Sequence, residues 1–536
     1  MKNKKKRKGF TLIELLAVII VLAIIALIAT PIIFNVIENA KIKSLENSCY
    51  GVIDAVRTKY AEGLLNLNKI TNGNVNELTV SGEKPVDGTW TIDNSKDSEQ
   101  RGIKIDNVRF SSMKDYACSN DLETGKVSCK KTYKDNSSAN TPILFKNMVP
   151  IKYENNKWII ADLGQKWYDY GAKEWANAVV LNSGVTKNVG DEVTEEEISL
   201  WYVWLPRYKY TIFNGNNGSA DAQLINVTFE SGISRTGTVT CTDNADGSET
   251  CSTITNGTST YTHPAFKFGN TELTGFWVGK FEISTTDSTC NSSASSANCN
   301  KVLTMTIKPN VSSWRYATIS NHFTSIQNAR TTYGISNADS HMLKNMEWGA
   351  VAYLKQSKYG LGIKDIGINN NSNYITGCGA ASGSKKSSTC DEYNTANGML
   401  SSTTGNIYGV YDMAGGAWER VMGNMKNSSN AFYSSNAGFT TAPDAKYYDS
   451  YKYDSSSYTT HARGKLGDAT KETLATFGSF NGGWYSDYVS FPYSSYPWFA
   501  RGGSYDDGTG AGVFYFYYSN GGVYNNYSAR AVLSAP

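Results

Sequence analysis

Close to its start the chain carries an unbroken apolar stretch, and the flanks of that stretch constrain everything after it. Lys2, Lys4, Lys5, Lys6, Arg7 and Lys8 form a basic block that ends at Gly9. Phe10-Thr11-Leu12-Ile13-Glu14 comes after it, and Leu15 to Ala29 has no polar side chain. Pro31 comes next, and Glu14 is the single charge between Phe10 and Phe34. A helix needs roughly 20 such residues to cross the hydrocarbon of a bilayer. A secretory signal would be cut after its apolar run, beside small residues. Here the junction that stands out, Gly9-Phe10, precedes the run. Cutting there leaves the apolar helix on the product, with Glu14 near the new N-terminus. A carboxylate inside a membrane helix is costly and marks function. The basic block stays cytoplasmic, which puts the chain beyond the helix outside the cell.

The run Lys8-Gly9-Phe10-Thr11-Leu12-Ile13-Glu14-Leu15-Leu16, with Pro31 one helix segment later, resembles the prepilin leader of type IV pilins and pseudopilins. The resemblance implies cleavage after Gly9 by a prepilin peptidase and N-methylation of Phe10. It also implies a role for Glu14 in assembly with other pilin subunits through the N-terminal helix. The expected partner of that carboxylate is the α-amino group of Phe10 on a neighbouring subunit. The expected location is the cytoplasmic membrane, single-pass, with the C-terminal domains extracellular, on a pilus or the cell surface.

Residues 1–9 read as the leader and 10–66 as one helix, transmembrane first and amphipathic later. Ile42, Leu45, Cys49, Val52, Val56 and Tyr60 recur at helical spacing on one stripe. Residues 67–166, with short alternating runs and a hairpin signal around Glu154-Asn155-Asn156, read as a small β head. Residues 167–536 read as one large loop-rich domain. The fold class is α+β.

Nine cysteines fall into four near-neighbour pairs and one remainder. The pairs are Cys118 with Cys129, Cys241 with Cys251, Cys290 with Cys299, and Cys378 with Cys390. Each brackets a polar, turn-rich stretch, which reads as a small disulfide loop in an oxidising compartment. Zinc would ask for tighter pairs. Cys49, left over, lies on the helix stripe and reads as a packed thiol. Of 51 basic residues six are in the leader, which leaves 45 against 48 acidic ones, a net of −3. No basic field remains for nucleic acid. His263, His322, His341 and His461 are scattered.

Met346-Glu347-Trp348, Gly409 to Glu419, Ala500 to Ser504, Ala529 to Leu533 and Gly279-Lys280-Phe281-Glu282 together resemble the formylglycine-generating enzyme family, a variant of the C-type lectin fold. The resemblance implies that fold and not the activity. The family uses reactive cysteines late in the domain, and none occurs after Cys390 here. Arg420 replaces the tryptophan that usually follows Trp-Glu, and Gly416 replaces an asparagine.

From Arg501 to Arg530 a Gly/Phe/Val scaffold alternates with Tyr, Asn, Asp and Ser. In the strand-like run Val513 to Tyr518, Phe514 and Phe516 point one way and Tyr515 and Tyr517 the other. The outward set is the palette of a paratope, rigid tyrosine area with adaptable amides and hydroxyls. The tail resembles the variable region of proteins diversified by retroelements, which also end in folds of this class. The binding residues so implied are Tyr505, Asp506, Asp507, Tyr515, Tyr517, Tyr518, Asn520, Tyr524, Asn525, Asn526 and Tyr527. A second patch, Trp484 to Tyr488 and Tyr493 to Trp498, lines the same face or joins the core. Calcium takes six to eight oxygens, and the adjacent Asp506 and Asp507 have no further ligands in register. No cofactor is expected, with calcium left open. The chain is expected to be a non-enzymatic adhesion protein whose external ligand is a protein or glycan. The rivals are a purely structural minor pilin and a formylglycine-generating type of enzyme.

Overall fold

The computed structural model describes residues 11–65, 70–92, 102–213, 221–292, 296–335, 337–456 and 463–535, the side chains at 26, 28–32 and 34 excepted. Gly9, Phe10 and His461 lie outside the described residues. The architecture is α+β, mostly sheet with few helices. The chain forms two compact units, Met1–Lys131 and Thr132–Pro536.

The first unit opens with α1 (Leu12–Leu65), which continues through Pro31. Thr11 and Glu14 close its start reciprocally. The Thr11 N–H and hydroxyl donate to the Glu14 carboxylate, both at 2.9 Å, and the Glu14 N–H donates to Thr11 Oγ1 at 3.3 Å. That is a capping box, which satisfies donors that a helix start leaves open. Among the described residues no helix is long and apolar enough to cross a membrane.

The second half of α1 packs by its stripe. Leu45, Cys49, Val52, Ile53 and Val56 are buried with Trp90, Ile105, Val108 and Val127. Their partner is a five-stranded antiparallel meander: β1 (Asn72–Asn74), β2 (Pro85–Ile92), β3 (Ile103–Phe110), β4 (Tyr116–Asn120) and β5 (Val127–Lys131), in sequential order. Sequential strands need only short turns, which suits the polar connections of this region. Cys118 and Cys129 face each other across β4 and β5 and are disulfide-bonded.

In the second unit β6 (Met148–Glu154), β7 (Lys157–Ile160), β8 (Asn177–Leu181), β9 (Ile198–Pro206), β10 (Gly275–Gly279), β11 (Asp339–Met342) and β17 (Ala531–Ser534) make a seven-stranded sheet. Its order is β11-β17-β10-β9-β8-β6-β7. The hairpin β6–β7, expected in the pilin head, belongs here, because β6 pairs with β8 from Met148↔Val180 to Ile151↔Asn177. The unit boundary therefore falls at Lys131/Thr132 rather than at 166/167. Every residue of β9 is buried, and Trp204 meets Trp277 of β10 at 5.3 Å between ring centroids. Lys280, just past β10, is fully buried. Its ammonium donates to Asn177 Oδ1, Ile407 O and Gly409 O at 2.7–3.0 Å and lies over Trp158, Trp201 and Tyr411.

A second sheet holds β12 (Trp418–Met425), β13 (Asp449–Tyr451), β14 (Trp498–Gly502), β15 (Gly512–Ser519) and β16 (Tyr527–Ala529). β12 pairs with β14 on one side, and β14 with β15. On its other edge β12 pairs in parallel with β16 near its start and with β13 near its end. Two helices, α2 (Ile319–Thr332) and α3 (Asn345–Lys355), pack into the same core. α3 begins at Asn345, with Leu343 and Lys344 between it and Met342, which closes β11. Gly349 of α3 permits close approach, because a Cβ there would lie 1.9 Å from the Gly467 carbonyl. Disulfides Cys241–Cys251, Cys290–Cys299 and Cys378–Cys390 pin the polar loops of this unit.

One buried charge cluster sets a pH response. His341 on β11 contacts Asp339 Oδ1 through Nδ1 at 3.1 Å and Glu347 Oε1 through Nε2 at 3.0 Å. Lys344, Lys446 and Tyr447 complete the cluster, and Phe268 stacks on the imidazole. Burial works to remove the His341 proton, but the two carboxylates outweigh it and hold its pKa above the usual value. A raised histidine pKa stabilises the fold below the unfolded value of about 6.5 and ceases to do so as pH climbs through the folded value. Urea unfolding of the full chain is therefore expected to show stability falling as pH rises above about 6.5, and His341→Asn is expected to flatten that segment of the profile. An unchanged slope in the variant would assign the pH response elsewhere.

Candidate binding face

β15 carries the tail into the second sheet, and its alternation sorts the side chains as a strand must. Phe514 packs on Trp484 and Tyr485, with ring centroids 5.1 and 6.1 Å away. Phe516 packs on Phe491 and Phe499. Tyr515 and Tyr517 lie on the opposite side, where Trp418 of β12 meets both, at 6.4 and 6.1 Å. Trp418 also meets Tyr527 edge-on at 4.9 Å.

Trp418 changes the status of two expected contact residues. Tyr515 is 1% exposed and Tyr527 7%, so both are core residues and not free ligand contacts. A third is also occupied. Asp507 Oδ2 accepts from the Trp418 indole N–H at 2.9 Å and from the Ser504 N–H at 2.8 Å. Burial raises the Asp507 carboxyl pKa, while those two donors lower it. Asp507 thus anchors the indole, and the adjacent Asp506, which is exposed, accepts from the Ser504 hydroxyl at 3.0 Å.

The remaining expected residues reach the surface. Tyr517 and Tyr518 are half-buried and stacked at 4.2 Å. Tyr505 is half-buried and edge-on to Tyr374 at 4.9 Å. Tyr524 and Asn525 are exposed, and Asn520 and Asn526 are half-buried. Asn520 Nδ2 donates to the Tyr524 hydroxyl at 2.9 Å. The patch at 484–498 divides. Trp484 and Trp498 are fully buried core. Tyr493 and Tyr496 meet Tyr518 at 5.0 and 5.1 Å, and Tyr488 lies tilted at 4.4 Å against Phe480, which meets Tyr517 at 5.9 Å. A continuous chain of rings therefore runs from Tyr524 through Tyr527, Trp418 and Tyr517 to Tyr518 and Tyr496.

The turn between β15 and β16 is held by its main chain. The Gly521 carbonyl accepts from Ile319 N at 3.3 Å, Tyr524 O from Tyr316 N at 2.9 Å, and Asn526 O from Trp418 N at 2.8 Å. Arg315 donates to Asn525 O at 2.7 Å and Arg420 to Gly522 O. Both arginines are buried. Arg315 lies 3.9 Å from the centroid of the Tyr374 ring and Arg420 4.5 Å from that of Tyr527. Five carbonyls of the turn are thus held by groups outside it, and one of these, Arg420, also lies 6.0 Å from the centroid of the Tyr524 ring. Sequence reasoning noted Trp418 and Arg420 only as fold markers and missed Phe480, Tyr374 and Arg315. The departure at Arg420 was the one available signal.

Residues 4–30 match the family described as the prokaryotic N-terminal methylation motif. No curated protein matches the chain. The solved structure of the Major Tropism Determinant P3c variant is similar at 11% identity over 85% of this chain and 82% of that one, with a TM-score of 0.22, a superposition too loose to carry an argument.

Alanine substitutions should separate the two sides of the tail. Tyr524→Ala and Asn525→Ala are expected to change unfolding free energy by no more than about 0.5 kcal/mol. Phe514→Ala, Phe516→Ala and Tyr515→Ala should each cost about 3–5 kcal/mol through a core cavity. Denaturant melts decide this, and a tolerant Tyr515 would show that Trp418 does not cover it.

Proposed function

We propose that this is a membrane-anchored, pilin-like surface protein that presents a diversified recognition face outside the cell and performs no chemistry there. The motif at residues 4–30 implies processing by a prepilin peptidase and association with the membrane and with pilin assembly. In this reading cleavage occurs after Gly9, Phe10 is methylated, the apolar half of α1 spans the bilayer, and Glu14 serves assembly once the new N-terminus exists. The large domain adopts the C-type-lectin-like plan of the formylglycine-generating enzymes without their reaction. Its last cysteine, Cys390, is tied to Cys378 in a disulfide.

The observation that carries recognition is the turn at 520–526. Five of its carbonyls are held by Ile319, Tyr316, Trp418, Arg315 and Arg420, and Asn520 Oδ1 accepts from the Gly522 N–H at 2.9 Å. Side chains at 524–526 can change identity while the carbonyl contacts keep the main chain on its course, which a diversified binding loop requires. The surface set is Tyr505, Asp506, Tyr517, Tyr518, Asn520, Tyr524, Asn525 and Asn526, with Tyr488, Tyr493, Tyr496 and Phe480 as a constant border. Aromatic residues dominate binding energy at such faces. The ligand is an external protein or glycan.

Two experiments test the reading. A full-length library with the eight surface positions randomised among Tyr, Asn, Asp and Ser should stay folded, and selection on immobilised proteins and glycans should recover different binders from different targets. A library that unfolds, or that yields no binder, defeats the proposal. Neighbouring DNA should hold a reverse transcriptase and a near-copy of the codons for 501–530 that differs at adenines. At the other end, Gly9→Ala should leave the leader attached and abolish surface display. Normal cutting and display of that variant would refute the prepilin reading.

A further inference from the structure

Cys49 sits on the buried stripe of α1, in the first unit. Its sulfur and those of Cys118 and Cys129 all lie within 4.8 Å of one another. The free thiol is therefore beside an intact disulfide. Cys49 and Cys118 are fully buried and Cys129 is 8% exposed. The three cysteines belong to one buried apolar cluster, which includes Val52, Val56 and Val127. Cys118 and Cys129 are directly paired residues on β4 and β5, which four further residue pairs already hold together. Their bond thus ties two strands that the ladder has joined in any case.

We propose that Cys49 is an exchange partner of the Cys118–Cys129 bond, and that the first unit has a second covalent form in which α1 is cross-linked to its sheet. The Cys49 thiolate attacks Sγ of Cys118 or of Cys129. The new sulfur–sulfur bond forms as the Cys118–Cys129 bond breaks, and the displaced cysteine leaves as a thiolate that takes up the proton Cys49 lost. One thiol and one disulfide stand on each side, so neither oxidant nor reductant is consumed. Burial, with the Glu46 charge adding to it, pushes the Cys49 thiol up to about 12. The thiolate is the nucleophile, so the packed unit holds the exchange in reserve, and loosening of the stripe releases it. The two bonds differ in what they constrain. The hairpin bond closes a short loop of sequence separation 11. A bond from Cys49 joins helix to strand across a much longer stretch of chain and restricts the unfolded chain more.

The test maps thiols in the full chain. Purified protein is alkylated either directly in strong denaturant or after a cycle through intermediate urea, then digested without reduction. Direct alkylation should label Cys49. After the urea cycle, label should appear on Cys118 or Cys129, together with a peptide linking Cys49 to the other. Label confined to Cys49 under both treatments overturns the proposal. Cys129→Ser and Cys118→Ser, each exposed to oxidised glutathione, provide the second arm. Each should form the bond from Cys49 to the remaining cysteine and lose both thiols. Two free thiols in each variant, with the unit folded by circular dichroism, would also overturn it. Cys49→Ser should show no migrating label, and label that moves in that variant counts against it.

Discussion

The second unit turns on one buried ion pair. Glu419, one residue after Trp418 on β12, accepts from both Nε and Nη2 of Arg530, and neither side chain is exposed. Arg530 stands between β16, which pairs with β12, and β17, which pairs with β10 and β11. It is the residue at which the chain leaves one sheet for the other. Its remaining donors go to the carbonyls of Gly279 and Tyr411. Breaking such a pair by removing one partner typically costs about 3–5 kcal/mol, since it strands the other charge in the core. Glu419 follows Trp418 on β12, so the stranded charge would lie beside the floor of the candidate face.

That floor explains the division of labour within the tail. Groups whose contacts are main-chain or buried, such as Arg315, Arg420, Phe514 and Phe516, fix the course of the chain. Groups such as Tyr524 and Asn525 are left at the surface with little structural duty. The frame and the exposed surface are therefore carried mainly by different residues, which meet through the rings of Trp418 and Tyr527.

Local signals in the sequence carried a good part of this. The apolar run and the stripe Leu45, Cys49, Val52 and Val56 gave α1 nearly to its ends, because a 3.6-residue period needs no distant information. The four cysteine pairs were legible for the same reason. Strand alternation placed Phe514 opposite Tyr515. What covers Tyr515 was not legible, because Trp418 lies far upstream and arrives only through sheet pairing. The hairpin at 148–160 was visible as a hairpin, but its sheet was not, since its partner Asn177–Leu181 gives no local sign of pairing. The arginines beneath the turn were hidden for a related reason. Their acceptors are carbonyls, which every residue has.

The position of β17 makes one sheet depend on the chain beyond residue 530. β17 lies between β11 and β10 within the seven-stranded sheet, and it is encoded after the tail. A stop codon or frameshift within residues 501–530 removes it and leaves β11 with no neighbour in that sheet. Errors of reading frame in that segment therefore reach the seven-stranded sheet as well as the candidate face. Substitutions within 501–530 leave this strand in place and truncations there do not, so the sheet registers whether translation has passed residue 530.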